Sequence, residues 1–567
     1  MKQNLFSPHI IRSHKTDIIN ISVLIATWVI MVILVNPVGD FPLNDDWAYG
    51  YSVKYLIENG DLQFLGWTAT NLISQVFWGA LFCLPFGFSF TALRFSTLTL
   101  GLTGVLATYG LLREVDENRN FSLLGAMMIA INPIYFGLSN TFMNDVPFFG
   151  FAAVSFYFLL RGLKSGSELE ILTGIFIAWI ALLSRQVGMA ILLAFGCAYL
   201  AKKGTNLRNF IKGFSPALAG IAIQLSYQKW LQLTMRLPDK YGNQIKTLFE
   251  ELSRGAGHAL SNFTKIGLFS LIYLGLFLFP ILIISFTGKS RELSSRYRIM
   301  TLTAVSGLFA AIIMTLVLKQ RRMPLVGNIL ADFGVGPLIL KNSYLPQAPQ
   351  LFWTIITAIG ALGAAMLLLY LFFALAQIFT RHSNPESEKT WLTVFIVSTI
   401  GIYFLPVSLL GLGPFGFYDR YLIFLLPLLL MIVSISAKDI KWDLSRKSIS
   451  VALLMMLLCG GFTIGATHDY LSWNRVRWQG LHYLMRADRI PPSRIDGGFE
   501  FNGWYLYDPG YDDWKYEPEK SWYWVDRDDY IISFEPLAGY RELKRYTFRR
   551  WFPWGQGKIL VLKRSAG

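Results

Sequence analysis

Residues 18–50 read IINISVLIATWVIMVILVNPVGDFPLNDDWAYG. The first part, through Asn36, is mostly aliphatic and carries no charge. A helix rises 1.5 Å per residue, so a run of about 20 apolar residues crosses the ~30 Å hydrocarbon core of a bilayer. Past Asn36 the chain turns polar, through Pro37 and Asp40 to the pair Asp45-Asp46. The stretch reads as a membrane crossing with an acidic pair at its mouth.

Outward from it the same pattern repeats. Apolar blocks near 90–111, 122–140, 146–163, 171–184, 187–201, 210–232, 264–286, 299–318, 351–379, 391–411, 421–436 and 448–466 give, with the first, about 13 transmembrane helices. The 567 residues are 53% hydrophobic and 15% charged, and the mean hydropathy is +0.43; a soluble chain of this length needs more charge to cover its surface. The expected fold class is an all-α polytopic membrane protein with a small C-terminal α/β domain: residues 1–466 form the membrane unit and 467–567 an aromatic-rich extracytoplasmic unit. The block 71–88 ends in Leu-Pro-Phe-Gly and carries Ser74 and Gln75, so it reads as an interfacial or re-entrant helix.

The formal net charge of +15 does not point to nucleic acid. Residues 467–567 hold 16 Lys+Arg against 14 Asp+Glu, so the tail is nearly balanced. The excess lies in the loops, denser on alternate ones, which is how a bacterial-type inner membrane protein encodes its orientation. The stretch before the first block carries Lys2, Arg12 and Lys15, and suits an uncleaved first span with the N-terminus inside. An odd number of crossings then puts the tail outside, together with the long segments 37–70, 233–263 and 319–350. The segment 233–263 is polar, with Gly255 and Gly257, and reads as mobile.

In the tail a helix is expected over 469–487, followed by strands at DYIISF (529–534), YRELKRYTF (540–548) and KILVLKR (558–564). Of its residues 23 are aromatic, which favours a packed core with a belt on the membrane surface over a wall of sugar-stacking rings. Cys83, Cys197 and Cys459 each fall inside an apolar block, which excludes a disulfide framework in the tail. No GxxxxGK[ST] occurs, and the inner loops are too short for a nucleotide domain.

Four places carry candidate chemistry. Asp45 and Asp46 open NDDWAYGYSVKYLIENGD, where Trp47, Tyr51 and Tyr55 recur at helical spacing and Asn59-Gly60 supplies a stop. One acid suffices to cap a helix; two beside a membrane suggest a base strengthened by desolvation. Asp145, in SNTFMNDVPFFGF, lies in a tight turn between two spans, either as turn chemistry before Pro147 or aimed into a protein cavity. Arg185, in LLSRQVGMA, is an outer-side arginine against the usual bias, and its planar fork suits a phosphate. Arg420, in GPFGFYDRYLIFLLPLL, follows the same logic, unless Asp419-Arg420 is a snorkelling anchor. Tyr49 and Trp47, with Glu500 in the tail, are the side chains expected around an acceptor or donor pocket. Metal ligation is unknown: acidic residues could hold a divalent cation, but no spacing demands it, and His258 is the sole histidine of a short outer loop. No cofactor is required.

The order of these features resembles the glycosyltransferase family 39-like members of the GT-C superfamily, the dolichyl-phosphate-mannose–protein mannosyltransferases and bacterial relatives such as lipid A aminoarabinose transferase. The family's Asp-Glu matches Asp45-Asp46, with Tyr49 and Asn59-Gly60-Asp61 in register. Its second acid matches Asp145, its basic residue between spans five and six matches Arg185, and its Arg-Tyr-Leu run matches Arg420-Tyr421-Leu422 with Pro427. The resemblance covers about 20–430. Two features depart from the pattern: Trp67-Thr68-Ala69-Thr70 stands in place of His-Pro-Pro, and the acid after Asp45 is Asp. Both bear on acceptor choice and on any metal site.

The resemblance implies a glycosyltransferase acting on a polyprenyl-phosphate sugar donor at the outer face, with a glycan, lipid or protein acceptor and with membrane lipids around it. Arg185 and Arg420 would take the departing phosphate, Asp45 would be the base of an inverting displacement, and Asp46 and Asp145 would position the acceptor or a cation. A secondary transporter or flippase is the alternative; it would place ionisable residues mid-span and show inverted repeats. A non-enzymatic scaffold with a binding tail is a third reading.

Overall fold

The computed structural model describes residues 8–116, 118–241, 246, 249–250, 253–292, 295–338, 340, 345–380, 388–411, 416–437, 446–511 and 523–565. Lys2, the apolar-block flank at 412–415 and parts of the polar segment 233–263 lie outside them.

Each of the 13 expected spans coincides with a helix. Among the described residues, nine helices are long and apolar enough to cross a membrane. Three expected crossings fall short: Glu168–Ser184 and Met189–Lys203 have 17 and 15 residues, and Leu207–Leu233, long enough, is too polar, carrying Gln224, Gln228 and Lys229. The expected span 122–140 is not one straight helix. Arg119–Ala130 and Pro133–Ser139 meet at a bend of 60°. Pro133 has no N–H and forces Asn132 into an extended conformation (φ −67, ψ 126), and the Asn132 side chain accepts from the N–H groups of Ile134 and Tyr135, capping a new helix. The helix in the block 71–88, Ile73–Cys83, has 11 residues and a length of about 16 Å, too short to cross.

Glycine sets the closest helix contact. A Cβ on Gly275 would lie 2.2 Å from the Ala364 nitrogen and one on Gly363 2.2 Å from the Gly275 carbonyl, so Ala256–Glu292 and Gln350–Thr380 touch backbone to backbone. Small residues allow this approach, which dispersion rewards in a solvent as apolar as leucine.

The boundary placed at 466/467 falls within a continuous helix, Arg446–His482, which carries the last apolar block straight into the tail. The tail adds a four-stranded sheet of β1 (Ile495–Asp496), β2 (Tyr530–Ser533), β3 (Tyr540–Trp551) and β4 (Trp554–Arg564), in the order β1-β2-β4-β3. β1 and β2 are parallel and the other pairs antiparallel. All three expected strands are present: Ile532, Ile559 and Val561 join the main core, and Ile531, Leu560 and Leu562 form a second, smaller buried cluster.

Two arginines fix the loop after the first span. Arg94, buried in Phe90–Val115, donates to the carbonyls of Pro37 (2.6 Å), Gly39 (3.0 Å) and Phe41 (2.6 Å). Arg475 donates to the Asn36 carbonyl at 2.7 Å. The tail holds the next residues. Arg477 and Glu500, both 0% exposed at the side chain, pair at 2.8 Å, and the other Glu500 oxygen accepts from the Asn44 N–H at 3.0 Å. Glu500, expected in a pocket, is thus a buried strut with both oxygens engaged by the protein.

Removing one partner of a buried ion pair strands the other charge, at a cost of about 3–5 kcal/mol. Glu500→Gln should therefore lower the thermal unfolding midpoint of the detergent-solubilised protein clearly; an unchanged midpoint would mean that Arg477 is not dependent on Glu500.

Candidate active site

The acidic pair divides at the start of the Asp46–Asn59 helix. Asn44 is in the left-handed region (φ 54), which asparagine tolerates, and turns the chain so that Asp45 and Asp46 face different ways. Asp45 occupies the N-cap position but makes no capping bond. Its Oδ1 instead accepts from the Trp67 indole at 2.8 Å, and Oδ2 takes no hydrogen bond among the described residues. Asp46 is 1% exposed. Its oxygens accept from the Phe142 N–H (2.8 Å) and the Leu43 N–H (3.2 Å), tying the turn that delivers Asp145 to the loop after the first span. Burial pushes its carboxyl up to about 8, against the opposing effects of the Phe142 N–H, Arg94 and the Leu43 N–H.

The Asp46–Asn59 helix is buried at its start. Its first two turns are buried on all sides, with Trp47 enclosed by Trp67, Phe499, Tyr507 and Trp524 at ring separations of 5.2–6.0 Å. Trp47, expected to line a pocket, is packed in the seam between bundle and tail. The stop is as read: Gly60 is left-handed (φ 67) and its N–H bonds to the Leu56 carbonyl.

Asp145 opens the Asp145–Ser165 helix and is 1% exposed. Arg185 hydrogen-bonds to its Oδ1, and the Arg420 Nε stands 3.7 Å from its Oδ2. Arg185 lies in extended backbone between Glu168–Ser184 and a single 3-10 turn, with its guanidinium over the rings of Tyr421 (5.3 Å) and Phe148 (5.8 Å). Arg420 sits in the 3-10 turn Asp419–Leu422, over the Tyr418 ring at 4.8 Å, and donates to the Asn328 side chain at 2.9 Å. Asp419 is buried and feels the charge and backbone N–H of Arg420. It accepts from the N–H groups of Ile329 (3.2 Å) and Leu330 (2.7 Å), holding the third long loop to the turn. Tyr49 joins the groups: its buried phenol lies in the fields of Asp45, Arg420, Asp145 and Arg185, and burial, with the Asp45 charge, pushes its proton affinity far up.

Asp45, Tyr49, Asp145, Arg185 and Arg420 therefore meet at the end of the bundle that carries the sheet. The loop 66–70 links them. Trp67 bonds to Asp45, the Thr70 hydroxyl accepts from Asn144 beside Asp145 at 2.8 Å, and Gln186 beside Arg185 donates to the Ala69 carbonyl at 3.4 Å. Asn328 and Arg94 are not singled out in the sequence, and Trp67 and Tyr421 enter it only as parts of stretches compared with the family. Arg94 had a signal, a charge inside an apolar block; the others are ordinary loop residues until the fold brings them in. Among the described residues, no three His, Cys, Asp or Glu side chains gather where they could hold a metal.

Residues 76–227 match the family model described as dolichyl-phosphate-mannose-protein mannosyltransferase, a segment that includes Asp145 and Arg185. That segment is about a quarter of the chain, and it is what this protein shares with the mannosyltransferase family. Among solved structures it is similar to ArnT from Cupriavidus metallidurans bound to undecaprenyl phosphate, at 14% identity and TM-score 0.41, over 96% of this chain and 97% of that one. It is also similar to the oligosaccharyltransferase AglB from Archaeoglobus fulgidus, solved with an inhibitory peptide and a dolichol-phosphate, at 14% identity and TM-score 0.41. That match covers 84% of this chain and spans 58% of the archaeal protein. The arabinosyltransferase EmbB from Mycobacterium smegmatis aligns at 11% identity and TM-score 0.32, over 83% of this chain and 42% of its own. No curated protein matches the chain in sequence.

The raised Asp46 carboxyl makes a signed expectation. Between its usual range near 4 and about 8, the folded protein holds a proton that the unfolded chain has released, so stability falls as pH rises through that window. Thermal midpoints between pH 5 and pH 8 should decline in the parent and decline less in Asp46→Asn; parallel declines would remove Asp46 as the source.

Proposed function

We propose that the chain moves a sugar from a polyprenyl-phosphate donor to an acceptor hydroxyl or amine, with inversion at the anomeric carbon. The observation that carries this reading is the meeting of two guanidiniums from separate connecting turns on the single carboxylate of Asp145, beside Asp45. Asp145 orients both forks in advance, and Arg420 also lies in the field of Asp45. Such a preorganised pair stabilises charge building on a departing phosphate. That leaving group is stable as an anion, so no general acid is needed.

One base is needed, and Asp45 has the position for it. Among the described residues its Oδ2 takes no hydrogen bond, whereas both Asp46 oxygens are engaged by backbone N–H groups. Asp45 removes the acceptor proton as the acceptor attacks, a division of labour unlike that of the two-carboxylate glycosidases. Asp46 supports the site from behind, and Tyr49 lines it. The donor tail lies among the spans and its head at the sheet end of the bundle. With the loop charges oriented as in a bacterial-type inner membrane, that end faces outward, and the acceptor is a glycan, lipid or protein of the cell envelope.

The test uses membranes containing the full chain and the pool of lipid-linked sugars extracted from the producing cells, labelled in the prenyl chain. Release of polyprenyl phosphate is read. Asp45→Asn should fold normally and lose at least about 100-fold in turnover, the usual share of a general base; full activity would remove the base assignment. Arg185→Ala should raise the donor KM more than the acceptor KM, and an unchanged donor KM would end its role at the phosphate.

A further inference from the structure

We infer that Trp67 is the positioning residue of the transferase: its indole N–H fixes one oxygen of Asp45 so that the other faces the acceptor. The inference rests on the reading of Asp45 as base. Asp45 stands where a capping side chain would stand and does not cap; its Oδ1 is taken by Trp67 Nε1 at 2.8 Å. An indole is donor-only and neutral. It therefore holds a carboxylate without cancelling its charge and without competing for the proton.

The donor is rigidly mounted. The Trp67 ring packs against Trp524 (5.2 Å), Phe499 (5.5 Å) and Trp47 (6.0 Å), and the Lys240 ammonium lies over its face. On either side the backbone is held by the Lys240 N–H on the Gly66 carbonyl (3.2 Å) and by the Asn144 amide on the Thr70 hydroxyl (2.8 Å). Two of these ring partners, Phe499 and Trp524, belong to the tail, so the docking of the tail reaches the base through this indole. The charged and titratable groups around Asp45 are Asp46, Tyr49, Asp145, Tyr418, Arg420 and, across the indole, Lys240.

A hydrogen bond to the charged form favours that form. Its loss leaves Asp45 both looser and easier to protonate. In the polyprenyl phosphate release assay with the same extracted donor pool, Trp67→Phe should lower kcat about tenfold, with the donor KM unchanged within twofold. The acid limb of its pH–rate profile should move to higher pH. Trp524→Phe, which disturbs the same ring cluster without touching Asp45, should leave the acid limb where it is. If Trp67→Phe does not yield folded protein, a β-(3-benzothienyl)alanine at position 67 removes only the N–H and is expected to give the same loss and the same displacement. An unchanged kcat and acid limb on loss of the N–H overturns the inference while an inactive Asp45→Asn keeps the base. An equal displacement in Trp524→Phe also overturns it, by making the effect one of packing. A fully active Asp45→Asn overturns the underlying reading instead.

Discussion

A carboxylate that is 1% exposed at the end of a membrane bundle is sustained only by countercharge, and at Asp145 that countercharge comes from Arg185 and Arg420. Desolvating any of the three alone would cost several kcal/mol. Together they bind three segments far apart in the chain into one cluster. The rings of Phe148, Tyr418 and Tyr421 complete it, offering their faces to the guanidiniums. Because each arginine is held by both acid and ring, the pair keeps its geometry before any ligand arrives. A site that stabilises developing charge needs that preorganisation.

The second constraint is the seam between bundle and tail. Glu500 and Arg477 form a buried pair whose remaining acceptor reaches the Asn44 N–H, directly before the acidic pair. Phe499 and Trp524 close over Trp47 and Trp67 from the same side. The tail is thus part of the wall that orients Asp45. The continuous helix Arg446–His482 gives the reason for its fixed placement, since a helix cannot swivel where a loop could. The aromatic richness of the tail is explained largely by this packing and by its contact with the spans, where Phe552 meets Phe352 and Phe462.

Adjacent acids in the sequence have separate physical lives in the fold. Asp46 is spent on backbone N–H groups of two loops and Asp45 on a single indole. A left-handed asparagine before them makes the division sharp. The loop 66–70 is the element that touches the neighbourhoods of Asp45, Asp145 and Arg185 in turn.

What the amino-acid order determined by itself is whatever depends on local periodicity and on the solvent. Apolar blocks marked where the helices lie, Asn59-Gly60 ended the second one, and short alternating runs marked the tail strands. Asp45, Asp145 and Arg185 were legible as well, because a charge at the edge of an apolar block is costly unless it has a partner. Which partner it has was not legible. The indole on Asp45 comes from 22 residues away, the glutamate behind Asn44 from 456, and the arginine that clasps the first loop from the next span. The number of true crossings and the burial of the Asp46–Asn59 helix were likewise decided by the fold. Such contacts follow from which helix faces meet and how far their backbones approach, and these are properties of the packed assembly that no window of sequence contains.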